Sequence, residues 1–208
     1  MHAPFDPLTA GFSFTGRIPT DAPAFLTRHG CARTARHCAA VAAEARRLAL
    51  RFDADAGQAE TAGWLHDISA VIADAQRVPT ARELSLDVLP DEEAFPMLLH
   101  QRLSAVMARE LFGVTGEGVL SAIGCHTTLR AGASALDKVV FVADKVAWDQ
   151  PGEAPYHGAL RAALDRSLDD AARAYLDYIW ERRGELRVVH AWAKMAYAEL
   201  AGVSEDAW

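Results

Sequence analysis

Six side chains of two types carry the chemistry this sequence offers: His37, the adjacent His66 and Asp67, His100, His126 and Asp144. A His-Asp dipeptide alone says little in a chain with eight histidines. Placement says more. His37 stands four residues before Val41, His100 seven before Met107, His126 three after Ile123 and Asp144 four after Val140, each a helical interval from an apolar residue. Neighbours on a helix are about 100° apart, so His66 and Asp67 can both reach one cluster from a helix that presents its edge. A single inward histidine is more often a hydrogen-bonded core residue. Burying an ionisable group on each of five helices is costly unless the groups satisfy one another or a metal. Imidazoles and carboxylates suit iron, manganese, cobalt or zinc, and six donors exceed what one catalytic ion takes while keeping an open position. Two ions bridged by a carboxylate fit that number.

The elements that must position these groups read as helices throughout. A long helix is expected from Asp21, as its N-cap, to about Arg51, with Val41, Ala45 and Leu48 on its apolar face. Asp55 is expected to cap a second helix reaching about Ala73, and Pro90 to open one that passes Met107 and ends at Gly113. A shorter helix covers about Glu117 to Thr127, and Ser134 with Asp137 forms a capping box for one through Trp148. Long helices from about His157 to Arg183 and from Val189 to Ala201 complete an all-α single-domain bundle of about seven or eight helices over 21–208. Residues 1–20, broken by Pro4, Pro7 and Pro19, read as an irregular arm laid down through Phe12 and Phe14.

Composition narrows the partners. Twenty-one Lys and Arg against 28 Asp and Glu leave a charge of −7, which disfavours nucleic acid and anionic membranes as partners. Three cysteines with no Cys-x-x-Cys pair argue against a disulfide framework and fit a reducing, cytoplasmic setting. No apolar run approaches the length of a membrane span, and the first residues do not read as a secretion signal. His2, His29, His157 and His190 read as surface or incidental core residues.

The order of the six groups resembles the HD-domain metal-dependent phosphohydrolases, an all-α superfamily. The likeness is nearest to the YqeK family of bacterial symmetrical dinucleoside-tetraphosphate hydrolases. It rests on Arg36-His37, Leu65-His66-Asp67-Ile68, Leu98-Leu99-His100, His126-Thr127-Thr128 with Arg130, and the run Leu136 to Asp144. The resemblance implies a di-iron-type centre with two ions per chain, ligated by His37, His66, Asp67, His100, His126 and Asp144, with Asp67 bridging. Manganese, cobalt or zinc are compatible alternatives. Two departures stand out: Leu129 occupies a position where the family usually has Gly, and Lys145-Val146-Ala147-Trp148 follow Asp144 where it usually has Tyr-Ile-Glu-Pro and then an Arg.

The implied activity is cleavage of a nucleotide phosphoanhydride, diadenosine tetraphosphate to two ADP, by attack of a metal-activated hydroxide. Asp67, Arg130 and Lys138 are the expected catalytic residues, the two cations serving to hold phosphate oxygens; each could equally be an ordinary surface cation. The substrate partner is then a dinucleoside polyphosphate, and a homodimer is compatible. A nucleotide phosphomonoesterase, a di-iron oxygenase and a non-catalytic metal-stabilised interaction domain are the alternatives.

Overall fold

The computed structural model describes residues 3–204 and is helical throughout, with no strand among them. Twelve α-helices follow one another: α1 (Asp6–Thr9), α2 (Ile18–Arg28), α3 (Ala32–Arg51), α4 (Ala56–Leu65), α5 (Asp74–Glu83), α6 (Pro90–Ala94), α7 (His100–Phe112), α8 (Glu117–Gly124), α9 (Ala135–Val146), α10 (His157–Leu164), α11 (Leu168–Glu181) and α12 (Ala191–Ala201). Short 3-10 turns cover Ala3–Phe5, Ile68–Val71 and Pro96–Leu99.

The class is all-α as the pattern predicts, but the expected seven or eight helices are too few, because several long periodic stretches break. The stretch from Asp21 to Arg51 breaks at Gly30, whose φ of +81° is open to glycine without a Cβ penalty. That helix also starts earlier than expected, at Ile18. Asp21 therefore lies inside it, and its buried carboxylate accepts bonds from Thr15 N–H, Thr15 Oγ1 and Gly16 N–H. The stretch from Pro90 breaks at Phe95, which is extended (φ −139°, ψ 83°) ahead of Pro96, as a residue before proline prefers. The stretch from His157 breaks at Ser167, whose hydroxyl caps α11 by accepting Asp170 N–H at 2.9 Å. The caps at Asp55 and at Ser134 with Asp137 form as predicted.

Helices α3, α4, α7, α8 and α9 make the bundle around the six candidate groups. Val41, Ala45 and Leu48 are fully buried on α3. Its approach to α4 is set by Gly63, where a Cβ would lie 2.5 Å from Ala42 Cα. That contact lets the rings of His37 and His66 come to 5.1 Å. Phe5 of the N-terminal segment is fully buried, and Phe12 and Phe14 pack edge and face against Phe25 of α2. At the other end α11 packs on α9 through Tyr175 against Phe141, and α12 stacks Tyr197 on Trp180 of α11. No helix is long and apolar enough to cross a membrane among the described residues.

Candidate metal centre

Three of the histidines stand at helix ends. His66 follows the last residue of α4, His100 opens α7 after a 3-10 turn, and His126 comes two residues after α8. Each donates its Nδ1–H to the carbonyl three residues upstream: His66 to Gly63 at 2.8 Å, His100 to Met97 at 2.6 Å, His126 to Ile123 at 2.8 Å. Helix termination frees the Gly63 and Ile123 carbonyls from the intrahelical ladder, whereas the Met97 carbonyl takes the His100 backbone N–H as well as its ring. The bond fixes the tautomer, so the Nε2 of each neutral ring is an unprotonated lone pair, that of His100 lying 3.0 Å from the Thr127 hydroxyl. His37 differs: it lies inside α3, its Nδ1 is buried without a partner, and its Nε2 is 2.9 Å from Asp144 Oδ1.

The six groups converge. Asp67 Oδ1 is 3.3 Å from His100 Nε2 and 3.5 Å from His126 Nε2, while its Oδ2 is 3.6 Å from His66 Nε2. Asp144 Oδ1 lies 3.7 Å from His66 Nε2. Ligand atoms of His37, His66 and Asp67 all lie within 4.8 Å of one another, as do those of Asp67, His100 and His126. The two groups share Asp67. His100 Nε2 and His126 Nε2 face each other at 3.1 Å, and His66 Nε2 is buried with no hydrogen-bond partner. Lone pairs aimed at one another and at two carboxylates are satisfied by cations between them, and this donor set fits divalent metals.

Electrostatics set the protonation that such ions need. Burial pushes His66 and His100 down to about 4, with His126 adding to the effect and Asp67 only partly opposing it. Burial alone would raise Asp67 and Asp144. The imidazoles outweigh it at Asp67, led by His66, and Lys145 followed by His37 outweighs it at Asp144, so both carboxyls sit below their ordinary range. Burial would lower His37, but the Asp144 bond and the charges of Asp144 and Asp67 raise it. Near neutral pH the centre therefore offers neutral His66 and His100 and two carboxylates. Asp67, with its side chain 24% exposed, marks the open side; His66 is fully enclosed.

Lys145 was not foreseen. Its ammonium is buried, 2.5 Å from Asp144 Oδ2 and 3.1 Å from the His126 carbonyl, and lies over the rings of Phe141 and Tyr175. The signal was a lysine inside the apolar run Val139 to Val146, directly after a candidate ligand. Gln101 is a second: its Oε1 accepts from Thr127 and Thr128 N–H, fixing the strand of chain after His126.

Arg130 and Lys138 are not brought to the cluster. Leu129, fully buried, adopts φ +57°, the left-handed region where glycine is the usual residue, and beyond it Arg130 Nη2 donates to Ser121 Oγ at 2.6 Å beside Asp137. Lys138 Nζ reaches Asp169 Oδ1 at 2.6 Å on α11. His29 bonds the Leu8 carbonyl and His157 the Lys145 carbonyl, both as structural contacts. His190 is buried near Glu92, and His2 lies outside the described residues.

Residues 34–149, which run from the first turn of α3 to just past α9 and hold all six cluster residues, match the HD domain family, and the chain belongs to it. Its class is that of the HD-domain hydrolases. Among its relatives, the uncharacterized protein in the pepC 5' region of Lactococcus lactis subsp. cremoris is 43% identical over 143 residues, 69% of this chain and 72% of that one. The symmetrical bis(5'-nucleosyl)-tetraphosphatase of Bacillus subtilis (strain 168) is 35% identical over 111 residues, 53% of this chain and 59% of its own. That of Staphylococcus aureus (strain NCTC 8325 / PS 47) is 31% identical over 118 residues, 56% of this chain and 58% of its own. The chain thus spans little more than half the length of these two hydrolases. A crystal structure described as a predicted HD superfamily hydrolase involved in NAD metabolism, from Clostridium acetobutylicum, shares the fold at a TM-score of 0.79 and 24% identity, over 87% of this chain and 95% of that one.

Proposed function

We propose that the protein hydrolyses a nucleotide phosphoanhydride at a centre of two divalent cations, with diadenosine tetraphosphate or a close relative as substrate and two nucleoside diphosphates as products. The observation that carries the reading is the shared Asp67: one oxygen faces His100 and His126, the other faces His66. His37, His66 and Asp144 would hold one ion with Asp67, and His100 and His126 the other. Cations held there would acidify a water and neutralise charge on the phosphate it attacks.

The chain's own residues explain why the ions are needed. Asp67 and Asp144 place negative charge at the open side, which repels a polyphosphate until it is compensated. Lys145 binds Asp144 Oδ2 and leaves Oδ1 aimed at His37 and His66. Cys38, buried beside the centre, is not among the side chains whose ligand atoms gather within 4.8 Å of one another. The donors are therefore nitrogen and oxygen only, a set compatible with iron, manganese, cobalt or zinc.

The test is elemental analysis of protein purified without added metal or oxygen, followed by chromatography of products from a nucleotide panel. About two transition-metal ions per chain and ADP as the sole product of diadenosine tetraphosphate are expected. Free phosphate released from nucleoside monophosphates would instead favour a phosphomonoesterase. An active preparation without metal would overturn the reading.

A further inference from the structure

Beside the cluster lies a cavity of about 180 Å³ that none of the six groups enters. Its inner wall is made by residues that touch the centre. Met97 accepts the His100 Nδ1–H bond, and Thr127 Oγ1 is 3.0 Å from His100 Nε2. Its outer wall comes from α11, through Tyr175, Leu176 and Ile179, and its rim from the irregular segment 186–190 before α12. The walls are mostly apolar, and no Lys, Arg, Asp or Glu lines them, so the cavity is unsuited to phosphate.

Two features mark it as a built site. Among the described residues, the backbone N–H and C=O groups of Val188 and Val189 have no hydrogen-bond partner, although both residues line the cavity. Both residues are half-buried, so these groups are left to pair with water or with a ligand seated at the rim. The second feature is Leu186, which lines the same cavity and is 38% exposed, so an apolar side chain stands at its mouth.

We infer that this cavity seats the purine base of the nucleotide whose phosphates lie at the cluster, a placement that rests on the proposed function. A base is flat, largely apolar on its faces and polar at its edge. The site answers with apolar walls, the Tyr175 ring and the open backbone edge of Val188 and Val189. The volume admits one bicyclic ring and not a whole nucleotide. The ribose and phosphates therefore run past Thr127 toward Asp67. Recognition is then shared along the chain: residues 34–149 supply the reacting end and the inner wall of the base site, and α11, α12 and the segment between them supply its outer wall and rim.

The test uses adenosine, which has no phosphate, and the metal-free full-length protein, so that binding is read apart from ions and turnover. Saturation-transfer NMR titration should show adenosine bound by the parent and ribose 5-phosphate not bound. Ala193→Phe, which fills the cavity from α12, should raise the adenosine Kd at least about tenfold. A thermal melt checks that this variant folds. Leu186→Ala, at an exposed position, should raise the Kd about threefold whether or not Ala193→Phe is stable. Absence of adenosine binding to the parent, or equal binding by Leu186→Ala or by a folded Ala193→Phe, overturns the inference. If adenosine fails to bind while diadenosine tetraphosphate is cleaved, only the base site falls. If adenosine binds as stated while the tetraphosphate is untouched, only the proposed substrate falls.

Discussion

Among the described residues, histidine is buried beside carboxylate in two places, and the two behave in opposite ways. At Glu92 the carboxylate, fully buried, takes Arg102 Nη1 at 2.7 Å and Leu89 N–H at 2.9 Å on one oxygen. His190 faces the other oxygen at 3.6 Å through Nε2, and its Nδ1 accepts from Trp192 N–H, so the ring nitrogen that meets Glu92 is the protonated one. Donor faces acceptor across a gap longer than a hydrogen bond, both atoms being buried without a hydrogen-bond partner, and the bonds of Glu92 to Arg102 and of Asp91 to Ala191 N–H fasten the α6 region to α7 and α12. At Asp67 the relation is reversed: the ring nitrogens that face the carboxylate and each other are unprotonated lone pairs, acceptor against acceptor. Burial and composition do not separate a fastening from a ligand set. The polarity of the atoms that meet does.

Breaking the comparison begins with Asp67. Asp67→Ala should remove most of the metal and lower hydrolysis by at least about a hundredfold, read by elemental analysis and product assay on the same sample. Retained turnover would remove Asp67 from its bridging place. Arg102→Ala should do the converse. It leaves Glu92 buried without its cation, a loss of about 3 kcal/mol or roughly 6–12 °C in Tm, with metal content unchanged. Loss of metal in that variant would mean that the two clusters are one unit.

pH sharpens the contrast further. His66 and His100 sit at about 4 in the folded chain against an ordinary 6.5, so between those values the unfolded chain binds more protons. Stability from this source is full above about 6.5 and is lost as pH falls toward 4. A Tm series on chelator-treated protein should decline across that window, and a flat series would contradict the enclosed neutral imidazoles. The smallest effects are expected at Arg130→Ala and Lys138→Ala, whose partners Ser121 and Asp169 lie away from the cluster. Each should leave metal content intact and change kcat/KM less than about threefold, within the range of surface ion pairs. A larger fall would extend the substrate path to that face.

Much of this was readable from residue order. Helical spacing placed His37, His100, His126 and Asp144 inward because apolar neighbours at fixed intervals report a face directly. The helix breaks were less legible. An Ala-, Leu- and Arg-rich run keeps its period across Gly30, and the interruption depends on a dihedral that composition does not state. Helix α5 went unread because Pro79 lies inside it. Arg130 misled for the same kind of reason: proximity in sequence to His126 did not show that Leu129 would turn the chain the other way. Lys145 and the Glu92 group were hidden because buried charge is recognised by its partners, and those come from distant segments.

The carbonyls of Gly63, Met97 and Ile123 orient their histidines with main-chain atoms, which no side-chain substitution can delete. In many metal sites the orienting partner is itself a side chain, open to loss by a single codon change. Here three of the imidazoles each carry their own alignment within a four-residue stretch. Gly63 apart, where a Cβ would meet Ala42, the residues of such stretches can drift in their side chains and still present the same nitrogen. An insertion, a deletion or a proline that moves the helix end would redirect the ring, as would a side chain at Gly63 that pushes α4 off α3. The arrangement makes these parts of the centre heritable as short pieces of backbone rather than as a network that must change in concert.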